Sequence, residues 1–368
     1  MLNRGAIQWY GPESNVIGNT AQITHPDWLP DKPIPIFNVK VFDDSRAYSE
    51  AELLKLFESP LARHLPYQAD ANKRFPTRHD AISSLCRPDL WENRICYRIT
   101  RLEIFPGSAE LGVAPIHFFS GFDVSETLAI ELLHKDDRWL RSKMPLRQAI
   151  GRPVDLAWNP VHAGVCTLTI VQGTDGVNRF FLHDRSRNAV ADRIGRRHVI
   201  PAGVFQPSTD HPGAWRADQD VWKNIVREAC EEFLPDLQPI DSSSAPVDLS
   251  TVDPYASVIK ELRRGNIRCH FLGMGLDPVH LQPEIMTSLV LKERTFQRLF
   301  GATFERAFVE NSEGIVVGSQ VVGTAKSGCR LVGFEFNERR VSEVLEAPLV
   351  SGAAACLSLA WEARASLI

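Results

Sequence analysis

Residues 198–207, HVIPAGVFQP, and residues 220–235, DVWKNIVREACEEFLP, decide how this chain is read. In the second stretch Val221, Trp222, Ile225, Ala229 and Phe233 recur at helical spacing, which predicts an amphipathic helix with that side on a core. Glu228, Glu231 and Glu232 stand three and four residues apart and share another face. Arg227 and Glu231, four apart, can pair. Three carboxylates this close repel one another, and a hard divalent cation with oxygen ligands offsets the repulsion. The first stretch reads as a short strand, 198–200, that runs into a turn at Pro201-Ala202-Gly203.

The chain has 368 residues, long enough for two domains. We expect an α+β extension over 1–150 and a second domain over 151–368. The net charge of −4 gives no overall attraction to nucleic acid. Seven cysteines form an odd set without a C-x-x-C pair and read as reduced, mostly buried thiols of a cytoplasmic protein. The start, MLNRGAIQWYG, has no apolar signal core, and no apolar run is long enough to span a bilayer, so no membrane partner is expected.

In the first half, residues 1–48 read as loops and edge strands draped over a core. Ser49-Glu50-Ala51-Glu52 reads as a capping box that opens a helix. Residues 95–105, ICYRITRLEIF, alternate like a strand, but the apolar side swaps near Thr100, which predicts a bulge. Residues 125–134 read as a helix, with a second short one over 136–144. His64, His79, His117 and His134 are scattered and read as surface or satisfied core residues. In the second half, strands are expected at 166–172, 179–183, 267–275, 286–291, 315–322 and 329–334. Helices are expected at 255–264, ending at Gly265, and at 296–309, 341–345 and 353–367. Arg185, Arg187, Arg193, Arg196 and Arg197 form a basic cluster ahead of the turn. Arg196 and Arg197 are singled out as candidate phosphate clamps.

Arg227-Glu228-Ala229-Cys230-Glu231-Glu232 resembles the R-E-U-x-E-E centre of the Nudix box, G-x5-E-x7-R-E-U-x-E-E-x-G-U. Pro201-Ala202-Gly203 looks like the P-G-G that opens the box. Counting back strictly from Arg227 puts the first glycine at Gly213. Anchoring on the turn puts it at Gly203, with roughly ten extra loop residues, and we prefer the second because Gly203 follows a strand. In either case Gln219 stands where the family has its first glutamate, and Leu234 replaces the late glycine.

The resemblance implies a Nudix-type α/β/α sandwich with a mixed sheet. It further implies hydrolysis of a diphosphate linkage in a nucleoside-diphosphate-type small molecule, with Mg2+ or Mn2+ held by Glu228, Glu231 and Glu232. Glu231, Glu232 and a later acid, Glu284, are the candidate catalytic carboxylates. Gly203, Arg196, Arg197 and Arg227 are the candidate substrate contacts. The alternative is a Nudix-like module that senses a nucleotide without turnover; a DNA-binding regulator ranks below both, because no helix-turn-helix pattern is present. Nucleic acid is therefore not an expected partner, and self-association into a homodimer is left open.

Overall fold

The computed structural model describes residues 2–10, 15–44, 46–68, 73–133, 144–185, 196–234, 236–238, 240–304, 309–310, 314–322 and 329–368. Helix α1 (Leu2–Tyr10) leads into the short strands β1 (Asn15–Val16), β2 (Ile23–Thr24) and β3 (Ile34–Pro35), then β4 (Val39–Asp43). Ser49 opens α2 (Glu50–Arg63) with the expected capping box, its hydroxyl and backbone N–H both engaged with Glu52. After α3 (Arg78–Leu85) come the hairpin β5 (Ile95–Phe105) and β6 (Ser108–His117), α4 (Phe118–Leu133) and α5 (Pro145–Ile150). The register of β5 on β6 slips between Ile99 and Arg101, at the place where the apolar side changes in the sequence.

Strands β7 (Gly164–Gln172), β8 (Asn178–Phe180), β9 (Leu182–Arg185), β10 (Arg197–Val199) and β11 (Ala202–Val204) follow. Next come α6 (Ala214–Ala217), α7 (Val221–Phe233) and α8 (Tyr255–Arg263). Gly265, at φ +74, ends α8, a conformation that favours glycine. Then come β12 (Ile267–Leu276), β13 (Pro283–Lys292), α9 (Glu293–Phe304), β14 (Val309–Glu310), β15 (Gly314–Val317), β16 (Ser319–Val322), β17 (Cys329–Val332) and β18 (Phe334–Glu335). Helices α10 (Glu338–Glu346), α11 (Ser351–Glu362) and α12 (Arg364–Leu367) close the series. The single strand expected over 315–322 is two strands with different partners, β15 on β9 and β16 on β17. The short helix expected over 136–144 falls, but for Met144, outside the described residues, as does His134.

The chain is mixed α+β, with mixed pairing in its largest sheet. That sheet runs β1-β2-β12-β13-β7-β8-β18, with β11 also on β7 and β3 on β12. β13 and β7 are parallel, and their neighbours are antiparallel. Both faces are covered, so the central strands read as nearly continuous apolar runs. Val165, Val171, Ile285 and Leu289 pack with α7, α8 and α9 in one core. Cys166, Leu168, Ile170, Met286 and Val290 pack with α10 and α11 in another. Ala353, Ala355 and Ala360 are fully buried, so the small side chains let α11 lie close on the sheet. Among the described residues no helix is long and apolar enough to cross a membrane.

Residues before 150 belong to the same packing. β2 and β3 pair with β12 and extend the large sheet. The small sheet β4-β6-β5 contributes Tyr97, Ile99, Leu111 and Val113 to the core that seats α7. The division expected at residue 150 therefore runs through a shared core. Arg147, 1% exposed, ties the two parts from within. Its guanidinium donates to the Tyr10 hydroxyl (2.6 Å), to the carbonyls of Leu128 (3.1 Å) and Pro278 (2.9 Å), and to Val279 O. Glu131 accepts from the backbone N–H groups of Leu146 and Arg147. Arg147→Met would strand these buried acceptors and is expected to cost about 3 kcal/mol. The cost should be read as a lower urea midpoint at unchanged slope.

Candidate functional site

Helix α7 forms where its apolar stripe can be buried. Val221, Ile225, Ala229 and Phe233 are at most 1% exposed, and Trp222 packs against Phe37 at 5.6 Å. The same docking carries its acids inward. Glu228 and Glu232 are buried, and Glu231 is half-buried. Ala202 donates its backbone N–H to Glu232 Oε1 at 3.2 Å. Gly203 pairs with Val165 of β7, and a Cβ at Gly203 would overlap the Glu228 carboxyl group. A side chain is thus excluded at 203 by the acid that lies against it. The 201–203 turn and the helix acids lie together.

Arg227, 4% exposed, is the cation of this cluster. Its Nη2 donates to Glu228 Oε1 at 2.6 Å, and its Nη1 donates to Pro207 O at 3.0 Å. Burial works to lower the Arg227 pKa, but the charges of Glu228 and Glu231 and the hydrogen bond to Glu228 outweigh it. The guanidinium is held charged above its ordinary value.

The loop between β11 and α7 is fastened by residues the sequence did not single out. Asp218 Oδ2 accepts from Ser208 N (2.8 Å) and Ser208 Oγ (2.5 Å). Arg94 donates to Pro207 O and Ser208 O, and Asn224 donates to Val204 O. Gln219 turns the other way and donates to Asp43 Oδ1 at 2.5 Å. Bracing of the loop therefore falls to Asp218, one residue earlier. Its partner is ten residues away along the chain, and no local spacing rule marks that pairing.

Glu284, expected near the acids from its order along the chain, lies across the sheet from them. Its carboxylate accepts from Cys166 Sγ at 2.9 Å, and a Cβ on Gly164 or Gly352 would stand 2.8 and 3.0 Å from it. Gly164 and Val165 point to opposite faces of β7, so the strand separates Glu284 from Glu228. Arg197 Nε donates to Asp184 Oδ1 at 3.2 Å, and Arg196 is exposed. Arg187, Arg193 and the Arg185 side chain lie outside the described residues. His64, His79 and His117 stand next to Glu131, Asp123 and Glu50 respectively.

The Tyr255 hydroxyl is buried with no hydrogen-bond partner among the described residues. The charges of Glu231, Arg227 and Glu228 all act on it. Burial raises its pKa and Glu231 adds to the effect, so the group stays a neutral donor beside the acids. Nothing local in residues 250–258 signals this placement. The three box carboxylates against one guanidinium leave an excess of negative charge made of hard oxygen donors, which suits a divalent cation in charge and ligand type. As placed, no three His, Cys, Asp or Glu side chains converge on one point among the described residues, and Glu228 already gives one oxygen to Arg227. Comparison with protein-family models finds no match, and comparison with curated proteins finds none either.

Proposed function

We propose that the chain is a Nudix-like protein that binds a nucleoside-diphosphate-type small molecule and hydrolyses its diphosphate linkage. Glu228, Glu231 and Glu232 would hold Mg2+ or Mn2+. The observation that supports this most is the seating of Glu228 against the bare backbone of Gly203 beside two further acids of the same helix. The cation, when bound, neutralises charge on phosphate oxygens and acidifies water. Arg227 fixes the loop through Pro207 O, and Ala202 N–H orients Glu232. Water adds to phosphorus, the bridging P–O bond breaks, and the proton passes to a carboxylate oxygen of Glu231 or Glu232.

A second reading, cation-dependent binding with little turnover, is favoured by the direct Arg227–Glu228 pair and by the diversion of Gln219 to Asp43. One experiment separates them. The chain is incubated with Mg2+ or Mn2+ and ADP-ribose, NADH, dinucleoside polyphosphates, nucleotide sugars and prenyl diphosphates, and phosphate-containing products are measured. Turnover that falls about 100-fold or more in Glu231→Gln and Glu232→Gln is the expected result. Cation-dependent binding without product supports the second reading. Neither binding nor product across the panel would end both.

A further inference from the structure

A cleft of about 290 Å3 opens between the end of β4, the start of α2, β6 and α6, near the lower limit for small-molecule pockets. Asp43, Asp44, Tyr48, Pro115, Trp215 and Arg216 are among its walls. Those walls are fixed before any ligand arrives. Asp43 accepts from Trp215 Nε1 (2.6 Å), Arg216 Nε (3.2 Å) and Gln219. The Tyr48 ring stacks on Trp158 at 4.2 Å, and Tyr48 O accepts from Arg98 Nη2. Trp215 is backed by Tyr97 at 4.4 Å.

Both carboxylates of the cleft are met by cations. Asp43 pairs with Arg216 of the same cleft, and Asp44 feels the charges of Arg101, Arg46 and the fully buried Arg98. Burial lowers Arg98 to about 10, which leaves it protonated at neutral pH. Burial pushes Asp44 up, but its hydrogen bonds from Thr100 and the Arg46 backbone win and keep it ionised. The cleft offers aromatic surface from Trp215 and Tyr48, together with carboxylate lone pairs beyond those already used.

We propose that this cleft takes the uncharged nucleoside end of the ligand, with the base against Trp215 and Tyr48 and ribose hydroxyls donating to Asp44. This rests on the nucleotide-type reading above. Gln219, the residue before the α7 N-cap Asp220, donates to Asp43 and so connects the cleft to the box helix.

The test is isothermal titration of the full chain with adenosine, guanosine, cytidine and uridine in turn. At least one is expected to bind saturably. Trp215→Ala and Asp44→Asn should each weaken it about tenfold, the scale of one base–aromatic stack. If Trp215→Ala does not fold by circular dichroism, Tyr48→Leu takes its place. Absence of binding by all four at millimolar concentration, or binding unaltered in the cleft variants, overturns the proposal. Cleavage of a diphosphate without nucleoside binding would remove the cleft and leave the proposed function standing. Nucleoside binding without any cation-dependent diphosphate binding or cleavage would do the reverse.

Discussion

Gly203→Ala should lower the unfolding free energy by about 3 kcal/mol, measured by urea denaturation. The added methyl would occupy the place of the Glu228 carboxyl group. An exposed glutamate would swing aside at little cost. This one is buried and bonded to Arg227 at 2.6 Å, and moving it strands a guanidinium that is itself 4% exposed. Overpacking and the loss of a buried ion pair therefore act together. A variant with wild-type stability would mean that Glu228 does not sit where its contacts with Gly203 put it.

Arg227→Met should destabilise by about 4 kcal/mol, because it leaves Glu228 buried without its cation and leaves Pro207 O with Arg94 alone as donor. The double variant Arg227→Met, Glu228→Met removes both charges and should recover much of the loss. If the double variant is as unstable as the single one, the damage lies in the 204–209 loop rather than in the unpaired acid. The two variants also separate stability from ligand binding: the double variant is expected to fold while lacking one of the proposed cation ligands.

What the sequence disclosed follows from which forces are local. The helix at 221–233, the Ser49 box and the Thr100 irregularity each depend on residues within a few positions of one another, and each is present. β6 escaped notice because Gly112 and Pro115 interrupt its alternation, and β11 because three residues carry no period. At the site, the acids of α7 and the 201–203 turn were legible as a pair. The Asp218–Ser208 clasp, the buried Tyr255 hydroxyl and the strand lying between Glu284 and Glu228 are set by tertiary packing. Order along the chain located Glu284 at the right end of the sheet but could not say which face it would take.

Strand β12 lies at a border of the large sheet, and its outer row of amides and carbonyls is met by β2 at Leu276 and by β3 at His270 and Phe271. The opening thirty-five residues therefore act as a stopper against intruding strands. Trimming them would leave a ready template for another molecule to add to, so solubility as well as stability depends on that segment staying in place.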